Sequence, residues 1–339
     1  MLRFSRYAVC VVLLIGCSSG SGDEPPPPPY VPAPCQRDLP EATAFIAMPD
    51  TQFYACAYDE IFEAQTRFIA DNVASMGLGI VVHTGDIVDT NNETQWDVAS
   101  QALHALDGRV PYLLAPGNHD IDAARNSLID RYFAPADLDN AGCAQLGFKD
   151  LGRVENSFAV IELRGEPWLF VGLEFAPRDA VIDWANDVLR EHQDLRAVLF
   201  THAYLYADEE RYDRAIQPLQ PYHPDSYGVT PDQGIGDGQD IFEAVVEPNE
   251  NVRLVLSGHV IPDGTARATR HRGSGSVVHE VLANYQACDS CPCERVEGGG
   301  GYLRIIELDE SGDSLHVSTY SPHLEHSLTD AENDFDLPL

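Results

Sequence analysis

The sequence predicts an α/β fold in which sheets and helices form layers. Three observations carry that prediction. From about Ala42, short apolar runs alternate with stretches of helical periodicity. Most runs are separated by helix, as largely parallel strands require. The last runs follow one another without helices, as strands that complete a sheet. The chain has 339 residues, 44% of them hydrophobic, enough for one large core or two small ones.

Thr43–Met48 reads as a buried strand, and Ile61, Phe62, Phe68, Ile69, Val73 and Met76 mark one helix face. Strands are expected next at Gly79–His83, Pro111–Ala115, Ser157–Leu163, Trp168–Leu173, Arg196–Thr201 and Val252–Ser257. Between them, Gln95–Leu106, Asp179–His192 and Gln239–Val246 read as helices. Ser276–Ala283, Tyr302–Leu308 and Leu315–Tyr320 are the closing strands, and the acidic tail from His323 is expected to be loose. No internal repeat is visible.

Ahead of the folded part, Arg3 and Arg6 precede an apolar run over 7–15 that is too short to span a bilayer, which takes roughly 20 residues. It fits the apolar region of a secretory signal. Leu14-Ile15-Gly16-Cys17 resembles the lipobox of bacterial lipoproteins, which implies removal of residues 1–16 and acylation of Cys17. The other reading is an ordinary signal with Cys17 incidental. Residues 17–41, with Ser/Gly and then Pro25–Pro29, read as a tether, stiff where proline dominates. The expected location is therefore exported and lipid-anchored in the cell envelope, with the membrane met only through the anchor.

The balance of 54 acidic to 21 basic residues, a net charge of −33, argues against nucleic acid as a partner. Apart from Cys10 and Cys17 six cysteines remain: Cys35, Cys56, Cys143, Cys288, Cys291 and Cys293. An even number in an exported chain suggests disulfides. The cluster of three at 288–293 could instead hold zinc, though no second Cys pair lies nearby.

Five predicted strands end in polar residues: Pro49-Asp50-Thr51-Gln52, Gly85-Asp86-Ile87-Val88-Asp89, Gly117-Asn118-His119-Asp120, Thr201-His202 and Ser257-Gly258-His259. Open α/β sheets bind ligands at the carboxyl ends of their strands, so these segments are expected to converge. Carboxylate, amide oxygen and imidazole without thiolate suit manganese, iron or zinc.

In this order, the motifs resemble those of the calcineurin-like metallophosphoesterases over roughly residues 42–322. Gly-Asn-His-Asp following Gly-Asp-x-x-Asp is the specific part. The resemblance implies a four-layer α-β-β-α sandwich with two mixed sheets, and two divalent metal ions. It implies that Asp86 bridges them, that Asp50 binds the first, and that Asn118, His202 and His259 bind the second. His119 is then placed to donate a proton or hydrogen bond to the reacting phosphate. Asp120 would orient His119 or cap the next helix, and Arg178 would clamp phosphate or form a surface ion pair. Asp89 reads as a turn brace. The expected substrate is a phosphate ester, attacked by hydroxide formed on the metals.

Two positions depart from the family. Gln52 stands where its first motif has His, and Ile261 where its last motif has a second His. The first metal is left with Asp50, Asp86, the Gln52 carbonyl and water, an oxygen-rich set suited to manganese or magnesium. The second is expected to hold iron, manganese or zinc. Pro49-Asp-Thr-Gln52, Asp263-Gly264, the segment Leu173–Asp179 and Leu282-Ala-Asn284-Tyr-Gln286 resemble a bacterial subgroup of predicted phosphoesterases, making Gln52 a subgroup trait. The alternative is a non-catalytic binding lipoprotein on the same fold.

Overall fold

The computed structural model describes residues 41–139, 142–216, 219–230, 233–261, 264–286 and 298–339. The expected leader, Cys17, the expected tether up to residue 40, Asp263 and four of the six cysteines lie outside the described residues. In chain order the strands are β1 (Ala44–Met48), β2 (Leu78–His83), β3 (Tyr112–Leu114), β4 (Gln145–Phe148), β5 (Ser157–Leu163), β6 (Glu166–Gly172) and β7 (Arg196–Phe200). They continue as β8 (Val252–Ser257), β9 (Thr265–His271), β10 (Val277–Ala283), β11 (Leu303–Leu308), β12 (Ser314–Ser321), β13 (His326–Leu328) and β14 (Phe335–Pro338).

Two sheets result. One runs β13-β12-β11-β1-β2-β3 with β14 also on β12; the other runs β4-β5-β6-β7-β8-β10-β9. β1, β2 and β3 are parallel, as are β6, β7, β8 and β10, whereas the remaining pairings are antiparallel. The central parallel strands are apolar almost throughout because both their faces are covered; β7 and β8 each have four successive buried residues.

Side chains from the two sheets meet in one core. Phe45 of β1 packs edge-on to Phe170 of β6, with centroids 5.0 Å apart. A Cβ at Gly79 of β2 would lie 2.8 Å from Ile161 of β5, so the two sheets are in close contact there. Helices α1 (Gln52–Ala57), α2 (Asp59–Asn72) and α3 (Glu93–Leu103) accompany the first sheet. Ile61, Phe62 and Ile69 of α2 and Trp96, Ala99 and Leu103 of α3 join the core, as their spacing predicts. A short α4 (Ile129–Tyr132) follows, then α5 (Asp179–Glu191) and α6 (Gly238–Ile241), which runs into a π-helical turn at Phe242–Val246. Asn186 of α5 donates to Ala244 O at 2.9 Å and ties that turn to it. The architecture is the α-β-β-α sandwich with two mixed sheets.

One expectation is overturned, two strands are added and the cysteine reading is narrowed. The tail is not loose: β13 and β14 both pair with β12, and Leu328, Phe335 and Leu337 are buried. Its acidic composition hides a period of two, in which Phe335 and Leu337 point inward and Asp336 outward. Edge strands β4 and β9 escape detection because they carry few apolar residues. Cys56 is a free, exposed thiol, so the six cysteines do not form three pairs; Cys143 is not among the free thiols. Among the described residues, no helix is long and apolar enough to cross a membrane.

Candidate metal centre

The parallel strands bring their carboxyl ends to one place. Asp50 follows β1, Asp86 follows β2, Asn118 to Asp120 follow β3, His202 follows β7 and His259 follows β8. Asp50, Asp86 and His259 have positive φ (39°, 51° and 80°), a conformation costing of order 1 kcal/mol or more for a residue with a Cβ. Two glycines permit the crowding: a Cβ at Gly117 would sit 2.1 Å from Asp86 Oδ1, and one at Gly258 2.2 Å from Asp50 Oδ2.

His202 Nε2 lies 3.1 Å from Asp86 Oδ2, 3.1 Å from Asn118 Oδ1 and 3.0 Å from His259 Nδ1. The opposite ring nitrogens face carbonyls. His202 Nδ1 is 2.9 Å from Thr84 O, and His259 Nε2 is 2.7 Å from Tyr222 O. Carbonyls only accept, so the far nitrogen of each ring holds a proton and, in the neutral ligating form, the lone pair points inward. With both imidazoles in that form, four acceptors face one another with no donor among them. Ligand atoms about 2.1 Å from a metal, at right angles, are about 3.0 Å apart, which matches this spacing. Asp86, His202 and His259 form a buried group able to hold a cation.

Charge points the same way. Asp50, Asp86 and Asp120 are all buried here. Burial, reinforced by Asp86, pushes Asp50 well above the usual carboxylate range and Asp120 up to about 7. Burial also opposes the charge on Asp86, but His202 outweighs it and brings Asp86 down to about 2. His202 in turn is lowered by burial yet carried up to about 9 by Asp86 and Asp50, so in the metal-free site a second proton on Nε2 faces Asp86 where a cation would replace it, while burial and His202 hold His259 near 3. Buried carboxylates crowded in this way call for positive charge.

At the first position, Asp50 Oδ1 accepts from His259 N at 3.0 Å and Asn284 Nδ2 at 3.1 Å. Gln286 Nε2 holds the Asp50 carbonyl at 3.0 Å. The buried Gln52 Oε1 has no hydrogen-bond partner, as a carbonyl reserved for a cation would have none. The residues present fit a divalent metal at both positions.

A family model for the calcineurin-like phosphoesterases matches residues 45–263. The chain belongs to that family. It is 32% identical over 310 residues to an uncharacterized Bacillus subtilis (strain 168) protein, YvnB, covering 86% of this chain but only 21% of that protein. Among solved structures, GAP50, the inner-membrane-complex anchor of Plasmodium, aligns at 11% identity and TM-score 0.45, covering 86% of this chain and 89% of the other. A 5′-nucleotidase precursor from Thermus thermophilus aligns at 14% identity and TM-score 0.42, covering 88% and 54%.

Within this phosphoesterase fold, His119 sits beside the metal ligands. Its backbone N–H donates to Asp86 Oδ1 at 3.0 Å, and its Nδ1 donates to the Asp89 carbonyl at 2.6 Å, leaving Nε2 for a ligand. Asp89 therefore orients His119, beyond the bracing expected of it. Asp120 does not reach substrate space. It is fully buried and accepts from the backbone N–H groups of Ile87, Val88 and Gly117 at 3.1, 2.9 and 2.7 Å, which fixes the loops after β2 and β3. In place of orienting His119 or capping the next helix, Asp120 braces those loops. For Arg178 the ion-pair alternative holds: Nε and Nη2 both lie 2.7 Å from the Glu174 carboxylate, so its fork is already filled.

His83 belongs to no motif, yet it buttresses the site. Its Nδ1 accepts from Gly85 N at 3.1 Å, so its Nε2 donates to Thr51 Oγ1 at 3.0 Å, and Thr51 in turn donates to Ile87 O at 3.1 Å. That relay joins the turns carrying Asp50 and Asp86. The signal was available in the strand pattern: His83 is a polar residue at the buried end of β2.

Proposed function

We propose that this chain hydrolyses a phosphate ester with two divalent metal ions, outside the cytoplasm and tethered by an acylated Cys17. The observation that carries the enzymatic part is the meeting of four ligand atoms (Asp86 Oδ2, Asn118 Oδ1, His202 Nε2 and His259 Nδ1), with the far nitrogen of each imidazole donating to a carbonyl. When bound there and at Asp50 and Gln52, divalent ions supply Lewis acidity, activating water and offsetting phosphoryl charge.

The chain's own groups do the rest. Thr84 and Tyr222 carbonyls keep the two imidazoles in the ligating tautomer. The Asp89 carbonyl accepts from His119 Nδ1–H and aims the ring, which in its imidazolium form carries a second proton on Nε2 that passes to the leaving oxygen. Asp120 and the Thr51–His83 relay hold the loops that present these groups.

Gln52 and Ile261 motivate a second reading, a lipoprotein that binds phosphate esters without cleaving them. One experiment separates the two. The soluble part, residues 36–339, is analysed for metal as purified, loaded with Mn²⁺ and screened against phosphomonoesters and phosphodiesters. Turnover of at least one class is expected; metal retention without any turnover favours the binding reading. The anchor is tested by mass spectrometry of the N-terminal peptide, with Cys17→Ser abolishing the acyl mass. A wild-type peptide lacking that mass refutes the anchor.

A further inference from the structure

Tyr227 ends a 3₁₀ turn, Pro224–Tyr227, after which Gly228 takes a left-handed conformation, φ 68°. Its ring is half-buried against two neighbours at the second metal position. It packs on His259 with centroids 5.4 Å apart and on Phe175 at 5.6 Å and 86°. Phe175 is itself fixed: its N–H donates to Pro116 O at 3.0 Å, and its carbonyl accepts from Arg125 Nη1 at 3.0 Å. The Phe175 ring also touches His202 and His259, at 5.9 and 5.7 Å. Tyr227 is therefore held in place by the ligand shell and by a ring that shell touches.

Its hydroxyl makes no hydrogen bond to any described residue. A phenol keeps its proton at neutral pH. A partnerless O–H on a ring held against His259 has an obvious use where negative oxygen collects.

We propose that Tyr227 contacts substrate, its hydroxyl donating a hydrogen bond to a non-bridging phosphoryl oxygen at the second metal position. The proposal rests on the phosphoesterase reading and adds a residue that no motif marks. His119 and Tyr227 then divide the work: one serves the leaving oxygen, the other the oxygens that stay on phosphorus.

Tyr227→Phe keeps the ring and removes only the donor. The Mn²⁺-loaded wild type and variant are compared for bound manganese, for inhibition by inorganic phosphate, and for kcat/KM on phenyl and 4-nitrophenyl phosphate. Hydrogen bonds to charged groups predict phosphate inhibition weakened roughly 10- to 100-fold. The two esters should lose the same factor, at unchanged manganese content. Unchanged phosphate inhibition overturns the assignment. So does a loss confined to phenyl phosphate, which would put the donor on the leaving group, and so does lost manganese, which would make Tyr227 a support for His259. If the wild type cleaves no ester, calorimetry with phosphate on the Mn²⁺-loaded protein still decides. Tighter binding by wild type than by Tyr227→Phe supports Tyr227 while the hydrolytic reading fails; equal or absent binding overturns both.

Discussion

Around His202, nitrogen and oxygen acceptors converge with their protons turned outward; around Asp50, every acceptor is oxygen and the protein's N–H groups point inward. His202 and His259 anchor themselves to Thr84 and Tyr222 carbonyls, freeing Nε2 and Nδ1. Asp50 is anchored by donors: His259 N, Asn284 Nδ2 and, at its carbonyl, Gln286 Nε2. A carboxylate has about four lone-pair sites, so these contacts orient Asp50 without exhausting it. His259 belongs to both halves, its ring to one and its backbone N–H to the other. The second position is thus built by imidazoles and the first by amides, with one residue coupling them. Imidazoles suit transition metals, and oxygen sets suit harder cations held more weakly.

The sharpest way to break this comparison is to delete one anchor from each half. His202→Ala removes the ligand that touches three others, and should lower affinity at the second position beyond the roughly 10- to 100-fold typical of losing an outer-shell partner. Hydrolysis should vanish with it. Asp50→Ala should abolish turnover as well, yet leave the tight metal bound, because Asp50 supplies no ligand atom to the second position. Metal analysis of both purified variants, with circular dichroism to confirm folding, is the measurement. Loss of the tight metal in Asp50→Ala would mean that the two halves do not exist as separate positions.

Much of this site was legible because metal chemistry leaves ligand types at strand ends. Asp50, Asp86, Asn118, His202 and His259 each close a strand whose apolar run is unambiguous, and the parallel sheets bring those ends together. Two residues offered for roles at the site look the same in sequence as its true members. Asp120 lies in the most specific motif, but its carboxylate is spent on three backbone N–H groups. Arg178 is taken by Glu174, four residues earlier. Residues that act from behind, such as His83, or from a long connecting segment, such as Tyr227, have no spacing to betray them. Only their contacts do. In the fold, edge strands and the acidic tail were missed for a related reason: a strand with one half-solvated face dilutes its own apolar signal.

The smallest expected effect is the most informative about Gln52. Its buried Oε1 has no hydrogen-bond partner, although an orphaned buried carbonyl costs about 1–3 kcal/mol. A cation at the first position would remove that cost, which accounts for a glutamine being kept there. The wild type should therefore be purified with about one tight metal per chain and gain activity when Mn²⁺ is added. Gln52→His replaces an amide oxygen with neutral imidazole, a better donor to transition metals. The first position should tighten for Mn²⁺ or Zn²⁺ by about tenfold, the lower end of what ligand-shell changes produce. The Mn²⁺ concentration giving half-maximal activation should fall by the same factor, with the tight metal unaffected. Two tightly held zinc ions in the wild type, resistant to mild chelation, would defeat this reasoning. The first position would then need a stronger ligand than Asp50, Gln52 and Asp86 provide. Gln286 is a poor candidate for that role, since its amide N–H already holds the Asp50 carbonyl.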